Sequence, residues 1–367
     1  MKTSKTVAGE VLRSVRVGVY GASGTSGAEL VRLLDGHPAV DLRFGTSRSH
    51  AGVSLSTIEP EAPPLELRHP KQVYPTEIDL AFLCLPHGAS AETAEQCLSR
   101  GNRVIDLSGD LRLRDPKNHH EVYGTPRSEV IASQAVYGLT ELVRGRLREA
   151  KLVSNPGCYA TAATLALAPF LEADVVRRPP IIDAKSGISG AGRSATNTTH
   201  FLAVHGELRP YKIGRAHRHV PEIEQTLSWL HPYQEAQKVI FTPQVIPTER
   251  GIIETITLLD SGRSASELRR ILADRYLTEP FIEVLPAGDV ARLRAVVRTN
   301  RVQLSLHDVE GLDAVVLTSA LDNLVKGAAG QAIQNMNTMF ALEETMGLDG
   351  ARRFGGFHGS ERHGVTQ

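Results

Sequence analysis

Val15-Arg-Val-Gly-Val-Tyr20 runs directly into Gly21-Ala-Ser-Gly24-Thr-Ser-Gly27, and Ala28-Glu-Leu-Val-Arg-Leu-Leu34 follows with apolar residues at helical spacing. A strand, a glycine-rich turn and a helix in that order place backbone N–H groups at the positive end of a helix, where a pyrophosphate binds. The spacing is G-x-x-G-x-x-G rather than the commoner G-x-G-x-x-G, so the strand and helix around it carry the reading. Gly21, Ser23, Gly24, Thr25, Ser26 and Gly27 are the candidate dinucleotide contacts.

Working outward, further apolar runs at Val40–Phe44, Asp79–Leu85, Val104–Leu107 and Leu152–Ser154 read as strands, with Ala91–Leu98 as a helix between two of them. Strands alternating with helices predict a Rossmann-type, doubly wound parallel sheet. After residue 157 the texture changes to a helix over Tyr159–Leu171 and runs at Ile181–Ala184, Val239–Val245, Ile252–Leu259 and Arg301–His307. That pattern predicts a second, α+β unit. The expected organisation is a dinucleotide-binding domain over 1–157, a catalytic and dimerisation domain over 158–322, a helix over 323–350 returning to the first domain, and a flexible polar tail over 351–367.

With 367 residues, 41% of them hydrophobic, the chain is long enough for two cores. Lys plus Arg equals Asp plus Glu at 41 each, and no basic block stands out, which argues against nucleic acid or a membrane surface as partner. No apolar run reaches the ~20 residues of a membrane span, and Met1 to Ser14 lacks the apolar core of a signal peptide, so a cytoplasmic protein is expected. Three scattered cysteines suit neither a disulfide framework nor a zinc site, and no metal is expected.

The second strand ends in Gly45-Thr-Ser47-Arg48. A carboxylate at this corner would grip a ribose 2'-hydroxyl, whereas Ser47 and Arg48 suit a 2'-phosphate, which predicts NADP. Leu85-Pro86-His87 leaves another strand at the same carboxyl edge, and Arg112, after Asp106-Leu-Ser-Gly-Asp-Leu, is a candidate clamp for a substrate phosphate or carboxylate. Ser154-Asn155-Pro-Gly-Cys158-Tyr is a sharp turn from strand to helix. A thiol opening a helix sees its dipole and free N–H groups, which favour the thiolate, and those donors with the Asn155 amide suit an oxyanion. Cys84 and Cys97 read as inert core.

A nucleophilic cysteine needs a base, and His217-Arg-His219-Val-Pro221 supplies two candidates on a loop entering a helix. Sequence leaves open which imidazole meets Cys158. A metal reading with His200 and His205 lacks a recognised ligand spacing. The small-residue loop containing Ser186, Gly187, Ser189 and Gly190 permits close approach of a nicotinamide, and Asn323 is placed to bond its carboxamide.

Taken together, the glycine loop, Ser-Asn-Pro-Gly-Cys158-Tyr, Lys185-Ser-Gly-Ile-Ser-Gly-Ala-Gly, His217-Arg-His-x-Pro-Glu-Ile and Asp322-Asn-Leu-Val-Lys-Gly-Ala-Ala-Gly-Gln resemble the N-acetyl-gamma-glutamyl-phosphate reductase family, in register from about Val15 to Leu348. The resemblance implies a glyceraldehyde-3-phosphate dehydrogenase-like fold and a homodimer or homotetramer. It also implies NADPH-dependent reduction of N-acetylglutamyl 5-phosphate to the semialdehyde, in arginine biosynthesis. Cys158 then takes the nucleophile position and the His217–His219 segment the acid/base. Competing readings are reduction of a carrier-linked glutamyl or aminoadipyl phosphate or of aspartyl phosphate, a non-catalytic NADP sensor, and a cysteine hydrolase with no use for the glycine loop.

Overall fold

The computed structural model describes residues 14–125, 127–193, 201–230 and 237–348. The predicted parallel sheet is present. Its strands are β1 (Val15–Tyr20), β2 (Val40–Thr46), β3 (Leu67–Arg68), β4 (Leu80–Leu83), β5 (Arg103–Asp106), β6 (Val136–Tyr137) and β7 (Leu152–Ser154). They lie in the order β3-β2-β1-β4-β5-β7-β6, and every pairing is parallel. The order reverses between β1 and β4, the switch point beyond whose carboxyl edge ligands bind in open α/β sheets. Both Gly21 and the turn after β4 lie at that edge.

The second sheet is mixed. It contains β8 (Ile181–Ser186), β9 (Arg209–Pro210), β10 (Ile240–Val245), β11 (Ile252–Leu259), β12 (Ile282–Val284), β13 (Val302–Asp308) and β14 (Ala314–Leu321), in the order β12-β13-β14-β11-β8-β10-β9. One face packs on the helices Cys158–Glu172 and Ala265–Tyr276, in a core that includes Ile182, Ile252, Ile256, Leu304, Leu317 and Phe170. Alternation along β11 sends Ile252, Glu254 and Ile256 inward and Ile253, Thr255 and Thr257 outward, as a period of two requires.

Boundaries depart from expectation where local chemistry intervenes. The strand expected over Asp79–Leu85 ends at Leu83, because Cys84 and Leu85 turn away along the ligand edge. The helix expected over 323–350 begins as a π-turn, Val325–Ala329, and runs as an α-helix only over Gly330–Met339. This segment packs on the first sheet: Val325, Ala332, Ile333 and Met336 share a core with Val17, Leu30, Leu34 and Phe82. Buried ion pairs cross between the two sheets' layers. Arg250 joins Glu29 of the first helix, Thr25–Asp35, at 3.1 Å to Asp322 at 3.0 Å. The expected tail over 351–367 lies outside the described residues. Among the described residues no helix is long and apolar enough to cross a membrane.

Candidate active site

At the carboxyl edge of β1 the backbone is shaped by absent side chains. Gly21 has φ +83°, and a Cβ there would sit 2.3 Å from the Cys84 carbonyl oxygen. A Cβ on Gly27 would sit 2.3 Å from the Gly21 oxygen. Gly24 opens the helix with no side chain capping it, which leaves the first N–H groups, of Thr25, Ser26 and Gly27, facing an anion site. Ser23 Oγ donates to Ser47 Oγ at 2.8 Å, and Ser47 is buried while Arg48 is exposed. No carboxylate stands at this end of β2, so the residues present fit a dinucleotide carrying a 2'-phosphate. Leu85, Pro86 and His87 form the adjoining wall. From the loop after β8, Arg193 reaches over the edge, donating to the Ser23 carbonyl at 3.1 Å and pairing with Glu59 at 2.9 Å.

The nucleophile corner is built from β7 and the helix Cys158–Glu172, with Gly157 extended at the N-cap. Asn155 is buried, and its Nδ2 donates to the Ala328 carbonyl at 3.1 Å while its Oδ1 accepts from Asn335 at 3.0 Å. Its amide therefore ties the turn to the last helix. The Gly157 N–H donates to Glu222 Oε1 at 2.7 Å, and a Cβ at Gly157 would lie 2.5 Å from His219 Nε2. Only glycine lets the histidine loop approach so closely. Cys158 is half-buried, and its surroundings act on the thiol in both directions. Burial pushes the thiol up to about 11, although Arg112, Arg218 and the Tyr159 N–H all pull it down. Desolvation outweighs the helix start.

A cavity of about 310 Å³ brings Cys158, Ser186, Gly190, His217, Arg218 and His219 together. Both histidines are buried and neutral. Burial, then Arg218 and Lys212, push His217 down to about 3; burial and the neighbouring His217 and Arg218 hold His219 well below the usual range. His217 Nδ1 accepts the His219 N–H at 3.2 Å, so its ring proton sits on Nε2. His219 Nδ1 is buried with no partner among the described residues. Edge contacts with Tyr159, at 5.4 Å to His217 and 5.9 Å to His219, hold the two rings. His200 lies outside the described residues.

Four candidates, Arg112, Asn323, Ser189 and Gly187, are more tied down than their sequence context implied. Arg112 donates from Nε to the Asn155 carbonyl and from Nη2 to the Leu107 carbonyl, each at 2.9 Å, and faces Glu222 at 3.6 Å. Asn323 accepts the Gly251 N–H at 2.6 Å and donates to Ser189 Oγ at 3.0 Å, so it pins the loop expected to meet the nicotinamide. Ser189 and Ile188 are held in turn by the carbonyls of Glu249 and Thr248, and Gly187 fits because a Cβ would meet the Arg250 backbone at 2.6 Å. Glu222 is the residue that sequence reasoning missed. Fully buried, it accepts from Gly157 N and from Tyr137 Oη at 2.8 Å while facing Arg112. The signal was the carboxylate just after Pro221, in the first turn of the helix that the histidines enter.

Two family profiles match the chain: a semialdehyde dehydrogenase NAD-binding domain over residues 16–150 and a semialdehyde dehydrogenase dimerisation domain over 158–323. An N-acetyl-gamma-glutamyl-phosphate reductase from Symbiobacterium thermophilum is 43% identical over 341 residues, covering 91% of this chain and 97% of that protein. A reductase of the same name from Methanosphaera stadtmanae is 41% identical over 340 residues, covering 92% and 98%. Among solved structures, aspartate semialdehyde dehydrogenase II of Vibrio cholerae superposes with a TM-score of 0.70 at 16% identity, over 90% of this chain and 99% of that one. An aspartate semialdehyde dehydrogenase with NADP from Candida albicans gives 0.65 at 17% identity, over 89% and 99%. The parallel sheet, the cysteine corner and relatives of this identity over nearly their full length agree, and the chain belongs to the N-acetyl-gamma-glutamyl-phosphate reductase family, on the fold of the semialdehyde dehydrogenases.

Proposed function

We propose that this chain reduces N-acetyl-L-glutamyl 5-phosphate to N-acetyl-L-glutamate 5-semialdehyde with release of phosphate, a step of arginine biosynthesis, using NADPH. The observation that carries the reading is the cavity shared by Cys158, His217 and His219, together with a glycine loop whose close approaches fit a dinucleotide. Gly21 to Gly27 and the helix start hold the pyrophosphate, Ser47 and Arg48 the 2'-phosphate, and the loop containing Ser186, Gly187, Ser189 and Gly190 borders the nicotinamide end.

Cys158 attacks the acyl carbon, and the N–H groups at the start of its helix hold the oxyanion. Asn155 and Glu222 position that turn through Ala328, Asn335 and the Gly157 N–H. The thiol is protonated at rest, so sulfur gives up its proton to a histidine as the C–S bond forms. A dianionic substrate in the cavity raises both imidazoles from their depressed values and makes that transfer easier. Phosphate leaves and a thioester remains on Cys158. NADPH bound along the glycine loop would supply the hydride that takes the thioester to the aldehyde level, after which the C–S bond breaks, its electron pair returns to sulfur, and the thiol regains a proton from solvent through a histidine. His217, carrying its proton on Nε2, is in the donor form that the developing alkoxide needs.

The outward residues of the second sheet suit self-association. Ile181 and Ile240 are exposed, and Ile253, Thr255 and Thr257 are half-buried on a face that helices cover only in part. A second copy of the chain covers this face in the proposed homodimer or homotetramer, an assembly in a cytoplasmic enzyme. The function is tested by phosphate-dependent NADP reduction with N-acetylglutamate semialdehyde beside aspartate semialdehyde. Turnover of the first substrate is expected, with a rate lower by roughly 10² to 10⁴ in His217→Asn or His219→Asn at intact NADPH binding. Equal turnover of both substrates, or full activity in both variants, would overturn the reading.

A further inference from the structure

Arg218 stands between the two histidines, lines the cavity with Cys158, and has no acceptor among the described residues. Its Nη1 lies 2.8 Å from His87 Nε2. His87 Nδ1 already accepts the Gly109 N–H at 2.9 Å, so the neutral ring must carry its proton on Nε2. Two N–H donors therefore face each other with nothing to receive them. The ring cannot turn freely to relieve this, because Tyr123 packs against it at 4.9 Å between centroids. Burial, then Arg218 and Arg112, push His87 down to about 4, so it stays a neutral donor across the working pH range.

Convergent donors lacking an acceptor are the complement of an oxyanion. Arg112, the cation expected from sequence to hold the substrate, has spent its Nε and Nη2 on the Asn155 and Leu107 carbonyls and faces Glu222. We infer that the guanidinium of Arg218, with His87 Nε2–H, forms the seat of the transferred substrate's phosphate, and that Arg112 is a positioning residue behind the cysteine turn. This rests on the proposed acyl-phosphate chemistry.

The location suits the leaving group rather than the substrate's carboxylate. Arg218 is close enough to pull the Cys158 thiol down, and its Nη1 reaches His87, which follows β4 of the first sheet. As sulfur bonds to the acyl carbon, the C–O bond to phosphate breaks and its electron pair leaves on the phosphate oxygen. Charge grows on that oxygen beside Arg218, which stabilises it, and the proton that sulfur gave up to a histidine passes to the departing oxygen, so that phosphate leaves as the hydrogen phosphate dianion.

The test runs the reaction backwards, with semialdehyde, NADP and inorganic phosphate. Arg218→Gln is expected to raise KM for phosphate about 10- to 100-fold, the loss of a charge-assisted bond, while KM for the semialdehyde and the NADPH dissociation constant stay within about threefold. Arg218→Lys should fall between, because it keeps the charge but loses the fork. An unchanged phosphate KM, or a rise confined to the semialdehyde KM or shared by all three constants, overturns the assignment. A second readout needs no turnover: inorganic phosphate should protect Cys158 from iodoacetamide in the unsubstituted protein and fail to do so in Arg218→Gln. Equal protection in both overturns it. Absence of phosphate-dependent turnover in the unsubstituted protein would instead refute the proposed function, and the protection experiment still decides the anion seat.

Discussion

Cys158 opens a helix, touches an N–H and feels two arginines, yet burial leaves it a thiol. With burial pushing its value up to about 11, the thiolate is the minor form at neutral pH. Iodoacetamide should therefore label the free protein slowly at neutral pH and roughly ten times faster per pH unit up to that value. A plateau near pH 7 would show an already activated thiol. Cys158→Ser should abolish turnover, whereas Cys97→Ser should not, because Cys97 is buried beside Tyr20 and far from any proposed base. A separate prediction concerns Arg48, exposed and without a partner at the end of β2 among the described residues. Arg48→Ala should weaken NADPH by about one to two orders of magnitude and leave NADH little changed, as expected for a lost charge-assisted bond. Equal weakening of both cofactors would remove Arg48 from the 2'-phosphate.

At the scale of elements, what could be read locally was read. Gly21 and Gly27 announce a βα turn by sequence, and Pro156-Gly157 announces the cysteine corner, because each constraint acts between near neighbours. Glu222 and the Arg218–His87 contact were not legible. They depend on the histidine loop and its helix meeting the turn after β7 across 65 residues of chain and the loop after β4 across 131. Arg112 illustrates the same limit: sequence identified a cation near the site but not the carbonyls that would occupy it. β11 carries another such surprise. Its Glu254 is fully buried on the core face between Ile252 and Ile256, with neither carboxyl oxygen paired. Burial raises that carboxyl well above its ordinary value. Above the unfolded value near 4.5 the unfolded chain ionises while the folded one keeps its proton, so stability falls as pH rises. Glu254→Gln should remove that slope and raise stability at pH 8 by about 1–3 kcal/mol relative to pH 4, read as a pH-dependent shift in Tm. A variant whose Tm tracks the parent protein at every pH would refute the unpaired carboxyl.

At the scale of the whole molecule, the two sheets are joined by specific polar contacts. Glu29, Arg250 and Asp322 form a buried chain of charges, Arg298 pairs with Glu61, and Arg193 clasps the glycine loop. The core of the first sheet also contains Val325, Ala329, Ala332, Ile333, Met336, Met339 and Leu348, all from the last described stretch of chain. A fragment ending at residue 157 should therefore expose the apolar surface those side chains cover. Expressed alone it is expected to bind the hydrophobic dye ANS and to lose NADPH affinity; a soluble fragment that binds NADPH normally would show that the last helix is dispensable.

That packing also sets a timetable. On the ribosome, β1 and the glycine loop emerge first, but Ile333 and Met336 arrive only after some 300 further residues have been made. At ~5 to 20 residues per second, the half-built nucleotide pocket waits tens of seconds with a bare apolar flank before its final helix exists. The nascent chain should thus be a chaperone client over that interval, released when the helix Gly330–Met339 docks on the helix Thr25–Asp35.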